Sequence, residues 1–266
     1  FKQKTAYEIS LGLVGSEMCI RDRVDSVFVR HRNALMIRGS FTTIYTDYYL
    51  HLMQHDLRYP EELDSKLKDA MALLVLHLVA RPWAETIAWT ANIRAPRVNL
   101  FVTGSSINEQ ITGRCFTEDV REPPHNLFYS QTTVADKEPR MSSLEVDTTD
   151  PLEWVEKLYE RSEQRPGRIF RLPDENYVLL AAQPDFDSDW FHSVDTEDIA
   201  GIQEHEETKV LETRRFRWNC GCNLDRILPI LGGWRDKPEE LFSGKDTISI
   251  QCPRCGAKFS VTRDMI

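Results

Sequence analysis

The chain has 266 residues, a formal net charge of −9 and six cysteines. An acidic chain without a basic run argues against nucleic acid, whose affinity comes chiefly from phosphate neutralisation. No apolar stretch reaches membrane-spanning length, the longest, Ala70 to Ala80, being interrupted by His77; the length suits one main domain plus a small appendage.

Residues 1–23 are set aside as an expected non-native segment. Met18-Cys19-Ile20-Arg21-Asp22 is the frame translation of ATG-TGT-ATA-AGA-GAC, a transposase end used in sequencing libraries, and Lys2 to Ile9 and Leu13 to Glu17 match adapter sequence in the same frame. A signal peptide is the rival reading, but the apolar run is short, charges follow it, and it has no small-residue cleavage site. Four basic and three acidic residues leave with the segment, so the net charge becomes about −10 and five cysteines remain.

From Val24 the pattern is β-like: Val27-Phe28-Val29, Ala34 to Ile37 and Phe41 to Ile44 read as strands, with a short helix over Thr46 to Asp56. Tyr59-Pro60-Glu61-Glu62 opens a helix, with proline near the first turn and acids favoured by the dipole. Leu63, Leu67, Ala70, Met71, Leu74 and Leu78 recur at helical spacing until Arg81-Pro82. Strands follow at Thr86 to Ala91, Val98 to Val102 and Gln110 to Phe116, then at Asn126 to Val134 and Met141 to Val146, as in an antiparallel meander. Asp150-Pro151 caps a helix carrying Trp154, Val155 and Leu158, and strands at Arg168 to Leu172 and Tyr177 to Ala182 close the domain. The fold class is α+β: a mixed helix and antiparallel-sheet domain over 24–183, an acidic linker over 184–214 with one helix near Asp195 to Glu204, and a small C-terminal zinc-binding domain over 215–266.

That last segment carries Cys220-Gly221-Cys222, a spacer of 29 residues, then Cys252-Pro253-Arg254-Cys255. Two close pairs of thiols brought together by one excursion can supply a tetrahedral tetrathiolate site for one Zn²⁺. A segment of roughly fifty residues buries too little apolar surface to be comfortably stable alone. Thiolate–zinc bonding could supply on the order of 10–16 kcal/mol. Two disulfides are the alternative, but such frameworks belong to oxidising compartments, and a Cys-x-Cys bond closes a very small ring. Clustered reduced thiols without a secretion signal point to the cytoplasm. On spacing alone, purely structural zinc is favoured over a redox switch.

Arg217-Trp218-Asn219-Cys220-Gly221-Cys222 with Asn223 to Leu228, and Ile248 to Phe259 around the second pair, resemble the redox-regulated bacterial heat-shock chaperones, the thirty-three-kilodalton heat-shock protein family. Arg38-Gly39, Tyr59-Pro60, and Tyr159 with Ser162-Glu163-Gln164 look like that family's markers in the same order. The resemblance implies a substrate-binding domain, a helical linker and a zinc domain, with Cys220, Cys222, Cys252 and Cys255 as ligands. It implies a holdase that works without ATP, inactive while reduced and zinc-bound. Oxidation to disulfides 220–222 and 252–255 would release zinc, unfold the zinc domain and linker, and expose surface for unfolding client proteins under oxidative stress. Homodimer formation in the oxidised form is left open. Two stretches depart from the family pattern: the linker is short and acidic, and Arg94-Ala95-Pro96-Arg97 stands where a glycine-rich turn is usual. The other reading is a static structural zinc module used in protein–protein binding.

Other features carry less. Cys115 reads as a small apolar core residue. Asp185-x-Asp187-x-Asp189 lacks the glycine and bidentate acid of a calcium loop and reads as a solvated acidic stretch. The seven histidines show no metal spacing with one another, and no nucleophile elbow, phosphate loop or kinase signature is present, so the chain is not read as an enzyme.

Overall fold

The computed structural model describes residues 22–82 and 84–266. The bulk of the segment set aside above, residues 1–21, lies outside them; Asp22 and Arg23 open the first strand. The strands of the main sheet are β1 (Asp22–Val29), β2 (Ala34–Ser40), β3 (Glu85–Ile93), β4 (Val98–Ser105), β5 (Gln110–Phe116), β6 (Leu127–Val134), β7 (Arg140–Glu145), β8 (Gly167–Leu172), β9 (Asn176–Ala182) and β10 (Thr208–Trp218). They lie in the order β7-β6-β3-β4-β5-β10-β1-β2-β9-β8. Neighbours are antiparallel except β5 and β10, where Arg217 lies beside Gln110 and Trp218 beside Ile111 in parallel. The expected α+β class is observed.

One face of this sheet is covered by α1 (Thr42–Gln54), α2 (Glu61–Val79) and α3 (Pro151–Arg161). The widening apolar stripe of α2 has its explanation here: every residue from Asp69 to Val79 is buried against strands and neighbouring helices. Strict alternation on β3, with Ile87, Trp89, Ala91 and Ile93 inward, supplies the opposing surface. Asp150 caps α3 as expected, accepting from the Leu152 N–H at 3.0 Å with Pro151 in the first turn.

Two expectations are corrected. Phe41 to Ile44 is not a strand, because α1 already begins at Thr42. Phe41, Ile44, Tyr45, Tyr48 and Leu52 are all buried at helical spacing, and that burial overrides the β propensity of Thr42 and Thr43. The stretch 184–214 is also more ordered than an acidic linker with one helix. It forms α4 (Ser188–Ser193), α5 (Thr196–Ala200) and α6 (Ile202–His205), then enters the sheet as β10. Phe191, Val194, Ile199 and Ile202 cover Val27, Val29, Met36, Val178 and Leu180 on the second face of the sheet. The acids serve as caps: Asp187 accepts from the Trp190 N–H, and Asp195 forms a capping box with Asp198. The boundary expected between 214 and 215 therefore falls inside β10, and the separate cysteine-bearing segment begins after Trp218.

Candidate metal centre

Beyond β10 the chain forms α7 (Leu224–Leu231), α8 (Pro238–Phe242) and a hairpin of β11 (Thr247–Gln251) with β12 (Lys258–Thr262). Its own apolar core is small, centred on Ile227, Leu231, Phe242 and Val261. Cys220 and Cys222 lie between the end of β10 and α7, where Asn223 caps the helix by accepting from the Arg226 N–H. Cys252 and Cys255 occupy the β11–β12 turn. That turn is closed by the Gly256 N–H on the Cys252 carbonyl at 2.9 Å and the Cys252 N–H on the Ala257 carbonyl at 2.8 Å. Gly256 is required twice: its φ is +78°, and a Cβ there would stand 3.0 Å from Leu57 Cδ1 of the main domain. Gly221, at φ +67°, likewise gives the first pair its left-handed turn.

The structure brings all four predicted cysteines together, their sulfurs within 4.8 Å of one another. Cys220 Sγ and Cys252 Sγ are 3.7 Å apart, and Cys222 Sγ and Cys255 Sγ 3.5 Å. Covalent S–S bonds are near 2.05 Å, so these are free thiols; sulfurs bound at about 2.3 Å around one tetrahedral ion stand roughly 3.8 Å apart, close to what is seen. Cys220, Cys252 and Cys255 are buried and Cys222 half-buried. Among the described residues this is the one group of His, Cys, Asp or Glu side chains close enough to hold a metal.

The electrostatics also fit a cation. Hydrogen bonds from the Cys220 and Cys255 thiols pull Cys252 down, the bond with Cys252 pushes Cys220 up, and bonds with Cys220 and then Cys252 push Cys255 up. Burial, and then the charge on Cys220, pushes Cys222 up to about 12. Negative charges this close repel strongly in a partly buried site, so four thiolates need a counter-charge. A divalent cation removes that penalty and ionises coordinated thiols outright. The donor set is soft and all-sulfur, suited to Zn²⁺ and closed to further ligands.

Main-domain residues that sequence reasoning did not single out hold this segment in place. The His51 ring lies 4.3 Å from Trp218, centroid to centroid, and its Nε2 is 2.9 Å from the Cys255 carbonyl. Arg114 on β5 donates to the Cys252 carbonyl at 3.0 Å. The Lys258 N–H donates to His55 Nδ1 at 3.2 Å. The one signal in the sequence was His51 and His55 four residues apart, on one face of a helix.

The remaining candidates find structural roles. Cys115 is buried in β5, and burial pushes its thiol up to about 12, consistent with a core residue. In the acidic triplet, Asp187 is spent on the α4 cap and on Arg32, 2.6 Å away. Among the described residues no helix is long and apolar enough to cross a membrane.

The sequence matches no protein-family model and no curated protein. The fold is similar to the crystal structure of the 33 kDa chaperonin (heat shock protein 33 homolog, HSP33) from Thermotoga maritima. The TM-score is 0.70 at 13% sequence identity, over 92% of this chain and 96% of that one. At such identity the likeness is one of fold, and it agrees with the architecture expected from the cysteine motif and its flanks.

Proposed function

We propose that the protein is a redox-regulated, ATP-independent holdase of the cytoplasm, inactive while its four cysteines are reduced and holding Zn²⁺. The observation that carries this reading is the packing of four free thiols within 4.8 Å, on a segment docked against a domain whose fold is like that of a known chaperone. Bound by Cys220, Cys222, Cys252 and Cys255, Zn²⁺ would keep the sulfurs ionised and stabilise a segment with little core of its own.

The reaction belongs to the sulfurs. A peroxide oxidises one thiolate to a sulfenic acid, releasing hydroxide that takes a proton from solvent, and a second thiol then attacks that sulfur and expels water, so each disulfide consumes one peroxide and yields two waters. Partners within two or three residues favour Cys220–Cys222 and Cys252–Cys255, although the separations of 3.7 and 3.5 Å run between the two loops. Once paired, the cysteines no longer present four thiolates, and the segment after Trp218 loses that share of its folding energy. The client surface would be the apolar face beneath α4 to α6, where Phe191, Val194, Ile199 and Ile202 cover the sheet.

The test is to treat zinc-loaded protein with peroxide under mild heat, following zinc release and the aggregation of a heat-unfolded client. Zinc should leave as thiols disappear, and aggregation should be suppressed only afterwards. Retained zinc, or equal suppression before and after, overturns redox gating and leaves a static structural module. Peptide mapping of the oxidised protein decides the pairing.

A further inference from the structure

The turn bearing Cys252 and Cys255 is gripped from outside by the main domain. The Cys255 carbonyl is contacted by His51 Nε2 at 2.9 Å; because a carbonyl only accepts, the ring carries its proton there. That histidine is buried on α1 and packed, tilted at 43°, against Trp218, the last residue of β10. The Cys252 carbonyl accepts from Arg114 Nη1 at 3.0 Å, and Nη2 of the same side chain reaches Gln251 Oε1 at 3.2 Å. The Arg114 guanidinium lies over the Phe116 ring, 4.2 Å from its centroid. Nearby, Lys258 Nζ donates to the Asp56 carbonyl at 3.1 Å and Leu57 abuts Gly256.

None of these contacts is needed for four sulfurs to surround an ion. Within the turn the Cys252 carbonyl already accepts from the Gly256 N–H, so a free-standing turn would leave the Cys255 carbonyl and the second lone pair of the Cys252 carbonyl to water. Their capture by ring-packed side chains from two different elements orients the turn as outer hydrogen bonds orient metal ligands.

We infer that His51 and Arg114 are positioning residues of the tetracysteine centre, and that through them the C-terminal half of α1 and the end of β10 are coupled to whether the four sulfurs are held together. The inference rests on the reading that these cysteines bind zinc. Coupling is reciprocal: whatever metal binding adds to the order of α1, the grip of α1 adds to metal affinity. When the turn rearranges, the His51 donor is left buried without its acceptor and the ring contact with Trp218 loosens. Unpaired buried donors are costly, so the end of α1 opens as the centre is lost. The centre thus reports its state to a helix of the main core directly, without passing through α4 to α6.

The test uses the reduced full-length chain and no oxidant. Zinc affinity is measured by chelator competition for wild type, His51→Phe, His51→Gln and Arg114→Met, and amide exchange is followed with zinc loaded and removed. His51→Phe keeps a ring on Trp218 but loses the donor; His51→Gln keeps a donor but loses the ring. His51→Phe and Arg114→Met should each weaken zinc about tenfold, with His51→Gln retaining most of the affinity. In wild type, zinc removal should raise exchange over residues 48–56 and leave α2 protected; in His51→Phe that response should shrink. Should a substitution prevent folding, the wild-type exchange experiment decides alone. Zinc bound by wild type, with affinities of all three variants within twofold of it or with α1 exchange indifferent to metal, overturns the coupling and leaves the zinc reading standing. Failure of wild type to bind zinc stoichiometrically sinks both.

Discussion

The main domain and the segment after Trp218 are stabilised by different means. In the main domain, α2 alone buries an unbroken run from Asp69 to Val79, and its cluster extends over three helices and most of the sheet. The segment after Trp218 has a small apolar cluster of Ile227, Leu231, Phe242 and Val261, with the sulfur cluster and Ala257 as a second nucleus. A large core tolerates loss of any one contact, whereas a small one leans on its strongest bond. On the proposed zinc reading, a chemical event at four atoms would therefore unfold one region and spare the other.

The largest expected effect comes from removing a ligand. Cys252→Ser should abolish stoichiometric zinc binding and cost the terminal segment on the order of 10 kcal/mol of metal-derived stability. Proteolysis and amide exchange should show residues 219–266 opening, together with the end of α1, while the α2 amides stay protected. Collapse of α2 protection in the same variant would break the comparison.

The reverse experiment is smaller. Leu74 is fully buried at the centre of α2, and Leu74→Ala should cost about 2–5 kcal/mol, read as a lowered denaturation midpoint of the main domain. One zinc per chain should remain bound below that midpoint. Loss of zinc before the main transition would show that the segment has no separate stability.

Much of this division was legible in the sequence, and the parts that were not have common causes. The α2 helix was readable because its period is long and it has proline at both margins; α3 was readable from Asp150-Pro151. The cysteine quartet was legible because ligand spacing is a local property. Illegible were the features decided by distant partners. β10 hides its pattern because Arg214 is buried, paired with Glu109 across the sheet and donating to the Ser106 carbonyl, so a charged residue occupies an inward position. The helices α4 to α6 are too short to show a period, and their order comes from the apolar sheet beneath them. The grip of His51 on Cys255 spans 204 residues of sequence, which no local pattern registers.

A third substitution tests the seam between the regions. Gly256→Ala places a Cβ against Leu57 at a left-handed position, and should cost about 1–2 kcal/mol. The loss should appear as faster exchange in the β11–β12 turn and weaker zinc binding, with the main-domain midpoint unchanged. An equal loss in both regions would mean that the seam is part of the main core.

The smallest expected effect concerns pH and belongs to the main domain alone. His77 on α2 is buried between Trp89 and Tyr159, with Nδ1 3.1 Å from the Tyr159 hydroxyl. Burial, and then the positive charges of Arg81 and Arg165, hold this imidazole well below its usual value of 6.5. Tyr159, pushed up by burial, keeps its proton, and its hydroxyl stands within hydrogen-bond distance of the neutral ring. As pH falls through 6.5 the unfolded chain takes up a proton that the native state refuses. The contribution of His77 to stability is therefore complete above that pH and lost progressively below it. One unit below, at about pH 5.5, the loss amounts to roughly 1.4 kcal/mol. His77→Phe cannot hydrogen-bond Tyr159 and should be less stable at every pH, but its midpoint should fall less steeply between about pH 7.5 and 5.5. The measurement is denaturant unfolding followed by the main-domain signal, so that any acid response of the terminal segment does not enter it. An unchanged slope in His77→Phe would mean that acid sensitivity of the main domain arises elsewhere, and that His77 is held by packing alone.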